Sequence, residues 1–173
     1  MVAMKIFGLF DTSEVRVEDP GLKRVVNLNA KLALKSHGRI KYDPAKAKVN
    51  VIERLANLLQ IPGSRGKKHK IITGWMTGKQ SRATQIIIDA FKIIEKQTGE
   101  NPVKVFVKAI ENGSPREEVI SMEYGGARYP QAVDVSPRRR LNIVLRLFVH
   151  GAYDKAFNKK ATIVEALAKE LIL

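Results

Sequence analysis

The chain is 173 residues long and has a formal net charge of +14, from 31 Lys and Arg residues against 17 Asp and Glu residues. Hydrophobic residues make up 45% of it, enough for a packed core, which excludes a disordered basic tail. The absence of cysteine excludes disulfides, thiolate zinc sites and cysteine nucleophiles, and no apolar run is long enough to span a membrane. A chain this basic attracts polyanions, nucleic acid before an anionic membrane.

Most of the positive charge lies in one segment. Residues 35–82 contain 12 basic and two acidic residues, whereas residues 83–113 contain four of each. Ordinary soluble surfaces intersperse the two signs of charge. The block at residues 35–82 therefore predicts a polyanion-binding region.

The first part of the chain lacks a sustained hydrophobic period. We interpret residues 1–48 as an extended basic N-terminal arm, and arms of this kind usually gain order on a partner. Its few apolar anchors are Ile6, Phe7, Leu9, Phe10, Val25, Val26 and Leu28. The rest of the chain, residues 49–173, is predicted to form a single helical domain.

Five segments of this domain have apolar residues at helical spacing. The helices are predicted to begin at about residues 50, 81, 101, 136 and 162. The second opens at Ser81, while Asn101-Pro102 and Ser136-Pro137 each combine an N-cap with proline at the first helical position. Thr162 and Glu165 form a capping box for the fifth helix. A basic loop at residues 62–79 separates the first two.

Residues 117–135 are strand-like on both sides of Gly125-Gly126, which predicts a β-hairpin with the glycines supplying positive φ at the tip. Pro130 cannot donate to a ladder, so its strand is an edge or projects freely. The predicted fold is mainly α: a bundle of about five or six helices with one protruding β-hairpin and the basic extended arm. Tyr124 and Tyr129 are expected to be exposed.

The fourth helix opens with Arg138-Arg139-Arg140 in its first turn. The helix dipole disfavours cations at this end of a helix. Three arginines there predict an anion opposite them.

The sequence contains no catalytic constellation. The three histidines have no second ligand at metal spacing, and residues 74–79 fail the spacing of a P-loop, so we expect neither enzymatic activity nor a cofactor or metal. Residues 63–66 form a G-x-x-G pattern, which keeps a KH-like RNA-binding module as an alternative. Trp75 is equally compatible with base stacking and with burial.

From residue 81 onward the sequence resembles a known family. Its motifs include residues 91–102 and 109–117, and the most specific block runs from Gly125-Gly126-Ala127-Arg128-Tyr129 through residues 132–140. The chain is similar to the seventh small-subunit ribosomal protein family (universal small-subunit protein seven) over about residues 35–173. The segments at 37–39 and 51–55 resemble its archaeal and eukaryotic branch.

This resemblance implies a mostly helical protein with an extended hairpin, located in the cytoplasm on the small ribosomal subunit. It implies binding to the 3′ major (head) domain of small-subunit rRNA, nucleation of head assembly, and contact with tRNA near the exit site. The hairpin would point toward the tRNA and mRNA path, with neighbouring ribosomal proteins as further partners. Neither catalysis nor a cofactor is implied. The family usually continues past Leu173 with a basic tail.

The basic block and the resemblance together predict the binding residues. Contacts to rRNA are expected from Lys35, His37, Arg39, Lys41, Lys46, Lys48, Arg54, Arg65, Lys67, Lys68, Lys70, Lys79, Arg82, Arg116, Arg138, Arg139 and Arg140. The tRNA side of the hairpin is expected at Tyr124, Gly125, Gly126, Arg128 and Tyr129.

Two other functions use the same charge. A helical DNA-binding regulator is the rival from another class, although long loops and a hairpin replace the tight turn of a helix-turn-helix. Autogenous messenger binding would use the same surface as rRNA, and the sequence does not separate the two.

Overall fold

The computed structural model describes residues 5–32, 34, 36, 40, 46, 48–61 and 76–173. Within them the chain forms five helices and one hairpin. These are α1 (Val51–Gln60), α2 (Gln80–Thr98), α3 (Pro102–Gly113), β1 (Glu117–Tyr124), β2 (Ala127–Asp134), α4 (Pro137–Ala156) and α5 (Ile163–Ile172). The predicted mainly α fold with one hairpin is confirmed. None of these helices is long and apolar enough to cross a membrane.

Three helices begin at the capping residues that the sequence predicted. The side chain of Asn50 accepts the N–H of Ile52 at 2.9 Å, and that of Asn101 accepts the N–H of Val103 at 3.0 Å. Thr162 accepts the N–H of Glu165 at 3.3 Å, as in a capping box. Such caps satisfy backbone donors that a helix leaves unpaired, and each is worth about 1 kcal/mol.

The start of α2 and the cap of α4 differ from the prediction. Helix α2 begins at Gln80, with Lys79 in the N-cap position and no side-chain cap, so the predicted opening at Ser81 was wrong by one residue. Ser136 is the N-cap of α4, as predicted, but its side chain makes no capping bond. Pro137 at the first helical position has no N–H to satisfy, which lowers the need for such a bond.

The core lies where α5 packs against α2, α3 and α4. Phe91 of α2 stands at its centre, edge-on to Phe10 with ring centroids 5.6 Å apart, and tilted against Phe106 of α3 at 5.8 Å. All three rings are buried. Edge-to-face pairs of this kind add about 0.5–1.5 kcal/mol to the burial of the rings themselves.

Residues 5–32 contain no helix or strand, yet they pack on this core. Ile6 and Phe10 are buried as predicted, whereas Leu9, also predicted as an anchor, is half exposed. Val15 and Leu22 are buried anchors that the sequence analysis did not select. The expectation that the arm awaits a partner for its order is therefore wrong for these residues, because the helices already cover its apolar side chains. The domain boundary at residue 48 stays a prediction.

The N-terminal segment is also tied to the helices by hydrogen bonds. Asn27 accepts the N–H of Val51 at its carbonyl, at 3.0 Å, and donates its side-chain amide to the carbonyl of Lys48 at 2.6 Å. Asn101 at the start of α3 donates to the carbonyl of Asp11 at 2.7 Å. The segment therefore meets α1 and α3 at their first turns.

The hairpin projects from the bundle. Gly125 and Gly126 have φ of 56° and 84°, so both take the positive values that a two-residue hairpin turn requires. β1 pairs antiparallel with β2 from Tyr124↔Ala127 to Glu117↔Asp134. Among the described helices and strands, the backbones of β1 and β2 pack only against each other, and a side-chain contact from α4 reaches β1 near the base of the hairpin.

Candidate nucleic-acid interface

Eight of the predicted rRNA-binding residues lie outside the residues that the structure describes. They are Lys35, His37, Arg39, Lys41, Arg65, Lys67, Lys68 and Lys70. The G-x-x-G pattern at residues 63–66 and Trp75 also lie outside them. These predictions remain as they were.

The end of α1 and the start of α2 meet at one end of the bundle. The side-chain amide of Gln60 donates to the side-chain oxygen of Gln80 at 3.1 Å, which joins the end of α1 to the start of α2. Tyr153 of α4 donates its hydroxyl to the carbonyl of Leu59 at 2.8 Å. Burial of this tyrosine raises its pKa, so it stays a neutral donor.

Two predicted binding residues, Lys79 and Arg82, are exposed at this end, at the start of α2. Sequence analysis did not select Lys159 and Lys160, which are exposed in the connection that follows α4. The helix that precedes them, α4, carries Tyr153, whose hydroxyl also approaches the sulfur of Met76 at 3.7 Å. The two lysines lie far outside the basic block in sequence, and tertiary contacts such as those of Tyr153 bring the preceding helix to the end of α1 and to Met76.

A second group of predicted residues surrounds the start of α1. Lys46 and Lys48 are exposed just before this helix. Arg54, in contrast, is buried and donates through Nη2 to the Asn142 side-chain oxygen of α4 at 2.5 Å. Its guanidinium therefore serves the seam between α1 and α4.

Arg140 is buried at the start of α4, where its guanidinium has three protein acceptors. Nη2 lies 2.7 Å from the Asp19 carboxylate and 3.0 Å from the hydroxyl oxygen of Ser114, while Nε donates to the carbonyl of Pro115 at 3.1 Å. The hydrogen bond from Arg140 is the main reason why the pKa of Asp19 is lowered. Sequence analysis expected an anion opposite the arginine triplet and assigned it to RNA phosphate. For Arg140, the structure supplies a carboxylate of the N-terminal segment.

The other two arginines of the triplet are exposed. Arg139 forms a two-pronged contact with Glu118 of β1, from Nε at 2.7 Å and from Nη2 at 3.3 Å. This hydrogen bond raises the pKa of Arg139. Arg138 and Arg116 have no ion pair within the described part of the chain. They are the cations at the base of the hairpin that are available to a phosphate.

The hairpin differs in charge from the rest of the molecule. Tyr124 and Tyr129 are 67% and 57% exposed, which leaves both rings open to stacking, as the sequence analysis expected. Arg128 at the tip lies 3.7 Å from Glu123, its cross-strand neighbour. Residues 117–134 nevertheless contain four acidic residues and one basic residue, a net charge of −3. A charge count over the two strands alone reveals this difference, whereas the counts over residues 35–82 and 83–113 do not include them.

The described residues hold no group of three potential metal ligands. His150 is buried on α4. The exposed candidate binding groups described above are cations and two aromatic rings.

Comparison with known proteins identifies the family. The model of the family described as Ribosomal protein S7p/S5e matches residues 29–173. The chain belongs to this family. Its members are structural and non-enzymatic, which confirms the expectation that the chain is not an enzyme.

Archaeal relatives cover nearly the whole chain. Small ribosomal subunit protein uS7 of Nanoarchaeum equitans is 52% identical over 98% of this chain and 86% of its own length. The proteins of the same name from Picrophilus torridus and Archaeoglobus fulgidus are 44% and 42% identical, over 97% and 96% of this chain and 84% and 81% of their own lengths. These relatives agree with the archaeal branch that the motifs indicated.

Proposed function

We propose that this chain is a structural protein of the small ribosomal subunit that binds the 3′ major (head) domain of its rRNA and nucleates head assembly. Other ribosomal proteins are its neighbours, and its location is the cytoplasm, on the ribosome. The observation that carries the proposal is the concentration of exposed cations at the starts of α1 and α2 in a member of a ribosomal protein family.

The phosphate contacts are assigned to three pairs of exposed residues. Lys79 and Arg82 lie at the start of α2, next to the segment with four further predicted bases. Lys46 and Lys48 precede α1, and Arg116 and Arg138 lie at the base of the hairpin. Arg54, Arg139 and Arg140 border these surfaces, and their first partners are protein groups.

Binding follows from counterion release. Each phosphate that a lysine or arginine neutralises releases condensed cations, so the affinity falls with salt by about 0.7–0.9 log units per log unit of salt. Side chains cannot read the deep groove of A-form RNA, so recognition rests on shape, 2′-hydroxyls and unstacked bases.

The hairpin is proposed to contact tRNA near the exit site, beside the mRNA path. Tyr124 and Tyr129 offer exposed rings on which bases can stack, and such stacking is worth about 1–3 kcal/mol per base. Gly125 and Gly126 add no side chain at the tip, so a nucleic-acid backbone can approach closely. Arg128 is the cation of this contact.

The test is binding of the full chain to a head-domain RNA transcript over a salt series. Replacing Lys79 and Arg82 by Gln should lower the salt slope by about twice the value for one phosphate. Lys104 and Lys108, exposed on α3 in the electrically balanced part of the chain, give the matched control pair, and their replacement should leave the slope unchanged. A flat salt response, or equal affinity for an unrelated RNA duplex, would contradict the proposal. Tighter binding to a palindromic DNA duplex would favour the DNA-binding regulator.

A further inference from the structure

The hairpin has an unpaired strand edge whose backbone pattern can be assigned. A two-residue turn is closed by a hydrogen-bonded pair, here Tyr124 and Ala127. The N–H of Val135 donates to the carbonyl of Arg116 at 2.9 Å, so this pair at the other end is also bonded. Bonded and non-bonded pairs alternate in an antiparallel ladder. The outward-facing N–H and C=O groups of β1 therefore belong to Glu117, Val119, Ser121 and Glu123.

The two outer edges of the hairpin are not equivalent. On β2 the outward-facing position opposite Ser121 is Pro130, which has no N–H and interrupts that edge. β1 has neither proline nor lysine among its eight residues, and these are the residues with which proteins commonly protect an exposed edge. Glu117, Val119, Ser121 and Glu123 are all exposed. The β1 edge can therefore accept another strand, whereas the β2 edge is obstructed.

The charge of the hairpin indicates the chemistry of such a strand. Glu117 lies directly opposite Asp134, and like charges in this arrangement destabilise a hairpin. No cation within the described residues lies within ion-pair distance of either carboxylate. The outward-facing positions of β1 carry two carboxylates and no base, and the net charge over residues 117–134 is −3, so this edge attracts a cationic segment, while Arg128 and the tyrosine rings at the tip remain open to nucleic acid.

We propose that the outer edge of β1 binds an extended, basic protein segment as a third strand. Outward N–H and C=O groups at Val119 and Ser121 supply main-chain hydrogen bonds, as in other cases of strand addition. Lysine or arginine side chains of the added strand lie beside Glu117 and Glu123, and its small apolar side chains cover Val119, which is 72% exposed. The proposal concerns a protein partner and does not depend on rRNA binding.

The first test is an NMR titration of the full ¹⁵N-labelled chain with the synthetic peptide Lys-Thr-Val-Thr-Val-Thr-Lys, whose Lys and Val side chains all lie on one face of an extended strand. Amide shifts are expected at Glu117, Val119, Ser121 and Glu123, with small changes at Ala132 on the opposite edge. The same peptide with Glu in place of Lys should give none. Absence of shifts at millimolar peptide, or equal shifts with the Glu peptide, would overturn the proposal.

Two proline variants form a matched pair. Ser121→Pro removes an outward N–H of β1 without breaking a bond to β2, and should weaken peptide binding by at least about tenfold, the equivalent of about one hydrogen bond. Ala132→Pro removes an outward N–H from β2 and should leave binding unchanged. Both variants must retain the wild-type spectrum of the helices. Equal effects of the two would show that the β1 edge is not the site.

Competing occupants give distinct outcomes. Single-stranded oligouridylate that shifts the same amides and displaces the peptide would show that the edge binds RNA, and would overturn the proposal. A dimer that Ser121→Pro dissolves would show that a second copy occupies the edge, with the same consequence.

A photocrosslinker at position 119 tests the edge in assembled small subunits. Adducts to a Lys- and Arg-rich peptide that disappear with Ser121→Pro support the proposal, whereas adducts to rRNA overturn it. If the proposed rRNA function fails instead, the salt series gives a flat response, while the peptide titration still shows the expected amide shifts.

Discussion

The starts of α2 and α4 both carry cations at the end of a helix where the dipole disfavours them, but the two places differ in what surrounds the charge. Arg140 of α4 is buried with Asp19, Ser114 and Pro115 around its guanidinium. Lys79 and Arg82 at the start of α2 are exposed. The same local sequence signal therefore has two physical meanings, because only a buried cation requires its anion to come from the protein.

The largest expected loss of stability follows from replacing the buried cation. Replacing Arg140 by Met leaves the Asp19 carboxylate without its cation, and breaking a buried pair from one side typically costs about 3–5 kcal/mol. Urea unfolding followed by circular dichroism measures the loss. Arg138→Met, two residues away but exposed, is the control and should leave the midpoint unchanged. Equal effects would remove the distinction between the buried and exposed arginines.

A smaller loss of stability is expected where α3 packs against α4. A Cβ on Gly113, which ends α3 next to Ser114, would lie 2.8 Å from a methyl carbon of Val144 on α4. Gly113→Ala should therefore destabilise the chain by about 1–3 kcal/mol, the usual cost of overpacking. A Cβ on Gly99 would meet no atom within 4 Å, but the residue has φ of 68°, so Gly99→Ala tests backbone strain alone. An unfolding midpoint unchanged by Gly113→Ala would contradict the close approach of α3 and α4.

The pH dependence of stability should report the Asp19–Arg140 pair. Because the folded-state pKa of Asp19 is lowered, its contribution is fully present above its unfolded pKa of about 3.9 and is lost as the pH falls through the lower folded value. Asp19→Asn should lower stability at neutral pH and make the acid limb less steep. Identical limbs for wild type and Asp19→Asn would show that the pair contributes nothing.

The smallest expected change in stability is at the start of α2. Replacing Lys79 and Arg82 by Gln should leave the unfolding midpoint unchanged while lowering the salt slope of RNA binding. A large loss of stability would mean that these cations have structural partners, as Arg140 has. Thermal unfolding without RNA measures this directly.

The surroundings of the candidate binding residues were predicted less completely than the fold. The sequence identified the exposed cations at residues 46, 48, 79 and 82, because a run of bases is visible without a structure. It grouped Arg140 with them, since its partner Asp19 is 121 residues away. Lys159 and Lys160 were not selected for a similar reason, because contacts distant in sequence, such as that of Tyr153 with Leu59, bring the preceding helix α4 to the end of α1.

The sequence by itself determined the helices, their buried faces and the hairpin. The buried residues of α2 are Ala83, Ile86, Ile87, Ala90, Phe91 and Ile94, the same six that helical spacing indicates. Helix caps and the glycine pair act within a few residues of the chain, so a local sequence pattern is enough to predict them. The tertiary structure decided how the N-terminal segment packs and which arginine is buried. Both depend on partners distant in the chain, and burial determines whether a charge must be neutralised within the protein or remains available to RNA.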